Sequence, residues 1–157
     1  MQSINRLTAD DTPSISAVAQ KIISETPYYT SEARAAECDK FSADNLRKIL
    51  DDDKTIFLVA KHGDNVIGFC YGYFDCGTFW ADWIGVLTEY RRSGTATSLM
   101  QELNTILKAT NTHKIWCDSR CDNIESNNLL QKSGFEQAAH LKRHWYGQDY
   151  YLWEKFI

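Results

Sequence analysis

Residues Trp83 to Met100, WIGVLTEYRRSGTATSLM, constrain the fold more than any other stretch of the chain. An apolar strand ends at Val86 and Leu87, a short polar bend follows, and Arg91-Arg92-Ser93-Gly94-Thr95-Ala96 opens an amphipathic helix. Leu99, Met100, Leu103, Ile106 and Leu107 then fall on one side of that helix, which is core packing. Lys114 to Ser119 returns as a strand, so strand, helix and strand form a crossover of parallel type. The corner between the first strand and the helix also has the makings of an anion cradle. The first N–H groups of a helix have no intrahelical partner, and the macrodipole places partial positive charge there. Gly94 lets a ligand approach the backbone, and Ala96 keeps the first turn clear of bulk. Arg91 and Arg92 can add charge-assisted bonds to phosphate oxygens. An ordinary helix N-capped by Ser93 fits the same residues.

The rest of the chain supplies the sheet around this corner. Ser3 to Leu7 alternates weakly as a first strand, and Thr12-Pro13 marks a helix start with proline in the first turn. Ile15, Val18, Ala19 and Ile22 make that helix face a core. Thr26 to Phe41 has no clear period and reads as a mobile connection or a broken helix. Ser42 caps a second helix carrying Leu46, Ile49 and Leu50, which ends in the solvated run Asp51-Asp52-Asp53. From Thr55 the period changes. Thr55–Ala60 and Val66–Tyr73 pair as a hairpin around His62-Gly63-Asp64-Asn65, and Phe79–Leu87 is the next strand. A short helix from about Asn123 to Lys132 stops at Gly134. Phe135–Arg143 and Tyr150–Phe156 close the chain as a hairpin around Tyr146-Gly147-Gln148-Asp149. The expectation is one α/β (α+β) domain over residues 1–157: a single mixed, mostly antiparallel sheet of six to seven strands with about four helices.

Composition narrows the function classes. A formal charge of −4 argues against general nucleic-acid binding and mildly favours a cationic substrate. Five Trp and eight Tyr are a generous supply of rings for cores and ligand clefts. The start MQSINRLTADD lacks a basic segment followed by an apolar one, and no apolar run approaches a bilayer span. A cytoplasmic monomer or homodimer without membrane contact is therefore expected. The five cysteines show no framework spacing, which favours reduced thiols. His113, Cys117 and Cys121 recur every four residues, but Ile115–Cys117 reads as a strand, so their side chains do not share a helical face. No metal is expected.

Three segments carry a family resemblance. Gly85-Val86 followed by Glu89-Tyr90-Arg91-Arg92-Ser93-Gly94-Thr95-Ala96 resembles the Q/R-x-x-G-x-G/A acetyl-coenzyme A motif of the GNAT N-acetyltransferases. Cys117-Asp118-Ser119-Arg120-Cys121-Asp122-Asn123 is similar to the L-E-V-R-x-x-N segment of the ribosomal-protein alanine acetyltransferase branch. Asn123 to Phe135 resembles that branch's N-x-x-A-x-x-L-Y-x-K-x-G-F ending, with Asn123, Leu129, Lys132, Gly134 and Phe135 in place. The resemblance spans nearly the whole chain, with the motifs in the family's order.

What the resemblance implies is specific. Acetyl-coenzyme A is the cosubstrate, with its pyrophosphate on the amides of Arg92 to Thr97. Its pantetheine arm enters a gap where the fourth and fifth strands splay apart, pairing with Ile84, Gly85 and Val86 as though it were a strand. Asn123 hydrogen-bonds the arm or caps the short helix, or does both. The acceptor is a primary amine, either a small cationic metabolite or a peptide amino group. Tyr28, Tyr29, His144, Trp145 and Tyr146 are candidate walls of its cleft. Two carboxylates compete for the role of base. Asp118 falls where the alanine acetyltransferase branch has a glutamate, and Asp82 shares the strand parity of Ile84 and Val86. Leu130 departs from the family, which usually has a tyrosine there to protonate the departing thiolate. Ser126, four residues earlier on the same helix face, or a water it holds is the candidate substitute, the alternative being that the thiolate leaves unassisted. Leucine at that position also keeps open a rival reading, a non-catalytic acyl-coenzyme A binding or sensing module.

Overall fold

In the computed structural model, which describes residues 1–157, the Thr55–Tyr73 hairpin lies inside a seven-stranded sheet. The strands are β1 (Gln2–Arg6), β2 (Thr55–His62), β3 (Asn65–Asp75), β4 (Thr78–Val86), β5 (Lys114–Arg120), β6 (Glu136–Leu141) and β7 (Tyr150–Phe156). They run in the order β1-β2-β3-β4-β5-β7-β6. All neighbours are antiparallel except β4 and β5, which the crossover makes parallel. Five helices cover the sheet: α1 (Thr12–Glu25), α2 (Ser31–Lys40), α3 (Ala43–Leu50), α4 (Thr95–Lys108) and α5 (Ile124–Lys132). None is long and apolar enough to cross a membrane.

The central strands are buried on both faces. On one side, Phe57, Val59 and Phe69 meet Ile15, Ala19, Ile22 and Ile23 of α1 and Leu46 of α3. Phe41, fully buried after α2, turns its ring edge toward Phe57, Phe69, Tyr71 and Trp83. On the other, Ile56, Leu58, Ile67 and Cys70 meet Leu99, Met100, Leu103 and Leu107 of α4, and the same core continues through Ile115, Leu130 and Trp153. Strand alternation assigns the faces, reset in β3 by a bulge at Ile67 that puts Ile67 and Phe69 on opposite sides, and the two layers of helix follow from it. A buried polar chain seats α5: Trp153 Nε1 donates to Ser119 Oγ (2.7 Å), and Ser119 Oγ donates to Asn127 Oδ1 (2.5 Å).

Four details differ from the sequence reading. Thr26–Phe41 contains a regular helix, α2, so there are five helices where about four were expected. It buries only Ala33, which is why its sequence shows no stripe; Thr30 starts it by accepting from Ala33 N (3.1 Å). The helix after the corner begins at Thr95, with Gly94 as its N-cap at φ +87°, so Arg91 to Ser93 lie in the bend and Ser93 is not the cap. β6 stops at Leu141, two residues short of the expected end. Finally, β4 carries a bulge. Tyr71 pairs with Trp83 and Gly72 with Ala81, leaving Asp82 as the extra residue. The parity assigned to Asp82 therefore does not set its face: its carboxylate reaches Lys40 on α2 (3.0 Å), while Ile84 and Val86 belong to the α4 core. Gly72 makes room for the bulge, since a Cβ there would lie 2.3 Å from Trp80 O.

Candidate active site

β4 and β5 pair only at Thr78–Lys114, Phe79–Ile115 and Trp80–Trp116. Beyond Trp80 they part. β5 stays on β7 as far as Arg120–Tyr150, and β4 stays on β3 as far as Val86–Gly68, so a V opens between them. One edge of β4 from Ala81 to Val86 is left without a strand partner, and the V is the floor of a cleft of about 1090 Å³. Its open end is the strand-to-helix corner.

At that corner six consecutive backbone N–H groups, Arg92 to Thr97, donate to no protein acceptor; the first helical bond is Ser98 N to Gly94 O (2.9 Å). Arg92 at φ +62° and Gly94 at φ +87° give the bend its left-handed turns, a geometry that gathers successive N–H groups into an anion-binding concavity. Arg92, Gly94, Thr95, Ala96 and Thr97 all line the cleft. Ser93 does not, because its hydroxyl is folded inward, donating to Tyr90 O (2.6 Å) and lying 2.8 Å from Thr95 Oγ1. Arg91 spans the mouth: Nε donates to Val86 O (3.2 Å) and Nη1 lies 3.5 Å from Glu125 Oε2 at the start of α5. Arg92 has no side-chain hydrogen bond or ion pair within the protein, so its charge is available at the corner. The same holds for Lys132, across the cleft on α5.

The V itself is lined by Ile84, Gly85 and Val86 on one arm and by Asp118 and Arg120 on the other. Asn123 is the N-cap of α5, its Oδ1 accepting from Ser126 N (3.2 Å), while Nδ2 donates to Tyr28 Oη (2.6 Å). One Nδ2 hydrogen remains for a ligand. Ser126 faces the cleft with its hydroxyl unpartnered, and Leu130 lines the cleft floor while packing into the core, 4% exposed.

Asp118 lines the cleft, as does Asp82. Burial pushes the Asp118 carboxyl above the ordinary aspartate range, and neighbouring Asp82 adds to the rise. The hydrogen bond from Trp145 Nε1 (2.7 Å) and the nearness of His144 Nε2 (3.7 Å) oppose that rise without cancelling it. Asp82 is engaged differently. Lys40 Nζ lies 3.0 Å from it and 3.3 Å from Glu37 Oε2, which in turn accepts from Trp83 Nε1 (3.1 Å). Tyr28, Tyr29, His144, Trp145 and Tyr146 all line this end of the cleft, Trp145 being 51% exposed.

Several site residues escaped the sequence reading. Glu37 and Lys40 sit on α2, the helix that the pattern left as a connection, although their i,i+3 spacing of opposite charge is a weak helix signal. Arg120 lay inside the matched segment but had no visible task. It is held by Asp122 through two bonds (2.9 and 2.8 Å), and its Nη1 donates to Tyr28 O (2.8 Å) and to Gln148 Oε1.

An open sheet split at one parallel pair, with an anion-binding corner at the mouth of the split, agrees with the match of residues 19–135 to the acetyltransferase (GNAT) family. The chain belongs to that family. Among relatives, an N-alpha-acetyltransferase of Sulfurisphaera tokodaii is 36% identical over 72 residues, covering 44% of this chain and 42% of the relative. The match thus spans less than half of that protein's length. The crystal structure of PaiA N-acetyltransferase from Thermoplasma acidophilum, in complex with coenzyme A, superposes with a TM-score of 0.86 at 19% identity, covering 100% of this chain and 99% of that one. The ribosomal-protein-alanine N-acetyltransferase of Brucella melitensis gives 0.83 at 20% identity, with 99% of each chain covered. These likenesses establish the GNAT fold for the present chain.

Proposed function

We propose that this GNAT protein transfers the acetyl group of acetyl-coenzyme A to a primary amine, of either a small cationic metabolite or a peptide. The observation that carries the reading is the run of six unengaged N–H groups at Arg92–Thr97, continuous with the unpaired edge of β4. A diphosphate fits the first and an extended amide-bearing arm fits the second. PaiA's complex with coenzyme A and the naming of the Sulfurisphaera relative as an N-alpha-acetyltransferase support it.

Bound acetyl-coenzyme A supplies an activated acyl carbon and a thiol leaving group. The chain does the rest by position and charge. Arg92 and the corner amides hold the phosphates, and Lys132 stands across the cleft from them. The main chain of Ile84 to Val86 fixes the arm, and an N–H near Val86 is the proposed donor to the acyl oxygen as it gathers charge. Asp118, steadied by Trp145, takes a proton from the incoming ammonium directly or through a water, since only the neutral amine attacks. Glu37 and Asp82, with Lys40 bridging them, leave one net negative charge at the acceptor end of the cleft, which suits a cation. Holding both reactants in one V contributes much of the acceleration. Two hydroxyls, of Ser126 and Tyr28, are the candidate proton donors to the leaving thiol.

A panel of alkyl amines, diamines and short peptides assayed with acetyl-coenzyme A for release of free thiol tests the reading. Amine-dependent release is the expected result. Tight binding of coenzyme A with no release on any acceptor would instead support the non-catalytic module.

A further inference from the structure

We propose that Tyr28, on the loop between α1 and α2, protonates the departing thiolate, with Asn123 holding its oxygen in place. The inference rests on the acetyl-transfer reading above and adds to it a residue from outside the matched motifs. Tyr28 is fixed at three points. Asn123 Nδ2 donates to its phenol oxygen (2.6 Å). Its backbone oxygen accepts from Arg120 Nη1 (2.8 Å) and from Gln148 Nε2 (3.3 Å). Its ring lies under the Arg120 guanidinium, whose central carbon is 4.6 Å from the ring centroid. The loop is thereby clasped across the cleft to the β5–α5 corner and to the loop before β7.

The direction of the Asn123 bond matters. Because the amide donates, the phenol oxygen is the acceptor, and the phenol hydrogen has no protein acceptor of its own. It is a positioned donor opening on the cleft. Tyr29 and Tyr150 also line the cleft, but no protein group holds either hydroxyl. Ser126 offers an aliphatic hydroxyl, a far weaker acid than a phenol, while a phenol lies close to a thiol in acidity. Burial raises the Tyr28 phenol above its ordinary range despite the opposing Arg120 charge, so it stays protonated at working pH, as a donor requires.

The proton balance is complete. As the acyl carbon–sulfur bond breaks, its electron pair goes to sulfur and the Tyr28 hydrogen follows. The phenolate recovers a proton from the acceptor nitrogen, directly or through water, as that nitrogen becomes an amide. Arg120 and Gln148 are positioning residues, since they reach the leaving group only through Tyr28. Each turnover leaves Tyr28 protonated and releases a thiol.

Tyr28→Phe keeps the ring and removes only the hydroxyl. With the best amine of the panel, kcat is expected to fall about 100-fold while the KM for acetyl-coenzyme A stays within about twofold. An independent readout needs no turnover. Coenzyme A bound to each protein is titrated by the ultraviolet absorption of its thiolate, and loss of the Tyr28 donor should weaken the bound thiol as an acid by roughly tenfold. Thermal melting verifies that the variant is folded. Equal kinetics and equal thiol titration in wild type and Tyr28→Phe overturn the proposal. So does a loss that appears only in KM and melting temperature, which marks a structural tyrosine, or a loss carried by Ser126→Ala and not by Tyr28→Phe. If wild-type protein shows no calorimetric binding of coenzyme A, the acetyl-transfer reading itself fails and the assignment of Tyr28 falls with it.

Discussion

Asp118, the proposed base, illustrates how neighbouring groups pull a single carboxyl in opposite directions. Burial and the charge of Asp82 favour its neutral form; the Trp145 N–H, His144 and Lys40 favour the carboxylate, and burial wins. A base must be ionised to act, so a raised carboxyl moves the acidic limb of kcat/KM upward, to a pH above the ordinary aspartate value of 3.8. Asp118→Asn is expected to lower kcat by about 10² to 10³ and to flatten that limb, with coenzyme A binding retained. The same shift has a sign for stability. The native state holds a proton that the unfolded chain has lost, so Asp118 favours the fold below the ordinary value, and that contribution disappears as pH rises through the raised one. Asp118→Asn should therefore gain relative stability above this window. Should the acidic limb persist in Asp118→Asn and vanish in Asp82→Asn, the bulge residue paired with Lys40 is the base instead.

Among the elements, the β4–α4 corner does the most with the fewest residues. Gly94 caps α4 at φ +87° with nothing within 4 Å of where a Cβ would sit, so space inside the protein does not require glycine there. A left-handed backbone favours it, by about 1–2 kcal/mol over most residues with a Cβ, and the phosphate of the proposed ligand would need the same open approach. Gly63, in the β2–β3 turn at φ +60°, is equally open on all sides but does not line the cleft. Gly94→Ala and Gly63→Ala should thus lose similar stability, a few degrees of melting temperature, while only Gly94→Ala raises the KM for acetyl-coenzyme A, by about tenfold or more. The corner was legible in the sequence because a strand period gives way to a helical one across a polar bend, and both periods are strong. α2 was not, because a helix that buries only Ala33 prints no stripe on its residues. Neither was the bulge, since an extra residue in one strand shows only against its partner, here at Gly72. Arg120 and Glu37 acquire their tasks from contacts 92 and 46 residues away, with Tyr28 and Trp83, which no local pattern records.

In the molecule as a whole, the sheet is two sheets hinged at three residue pairs. β1 to β4 carry α1 to α4 on their faces, and β5, β7 and β6 carry α5; Thr78–Trp80 against Lys114–Trp116 is the only strand pairing that joins them. Around the cleft, the join is completed by side chains: Arg91 to Glu125 at one end, and the Tyr28 loop to Arg120, Asn123 and Gln148 at the other. A ligand seated in the V would touch both halves and supply the missing ladder of β4, so binding should stiffen the join. A ligand that binds only the native state at 100 times its Kd stabilises by about 2.7 kcal/mol, which for a chain of this size raises the melting temperature by roughly 5–10 °C. Hydrogen exchange locates the effect. With coenzyme A, amides of Arg92–Thr97 and of Ala81–Val86 should slow markedly, while those of β6, the edge strand beside β7, should not change. A rise in melting temperature with protection confined to other segments would place the ligand elsewhere, and the six free N–H groups of the corner would then need another explanation.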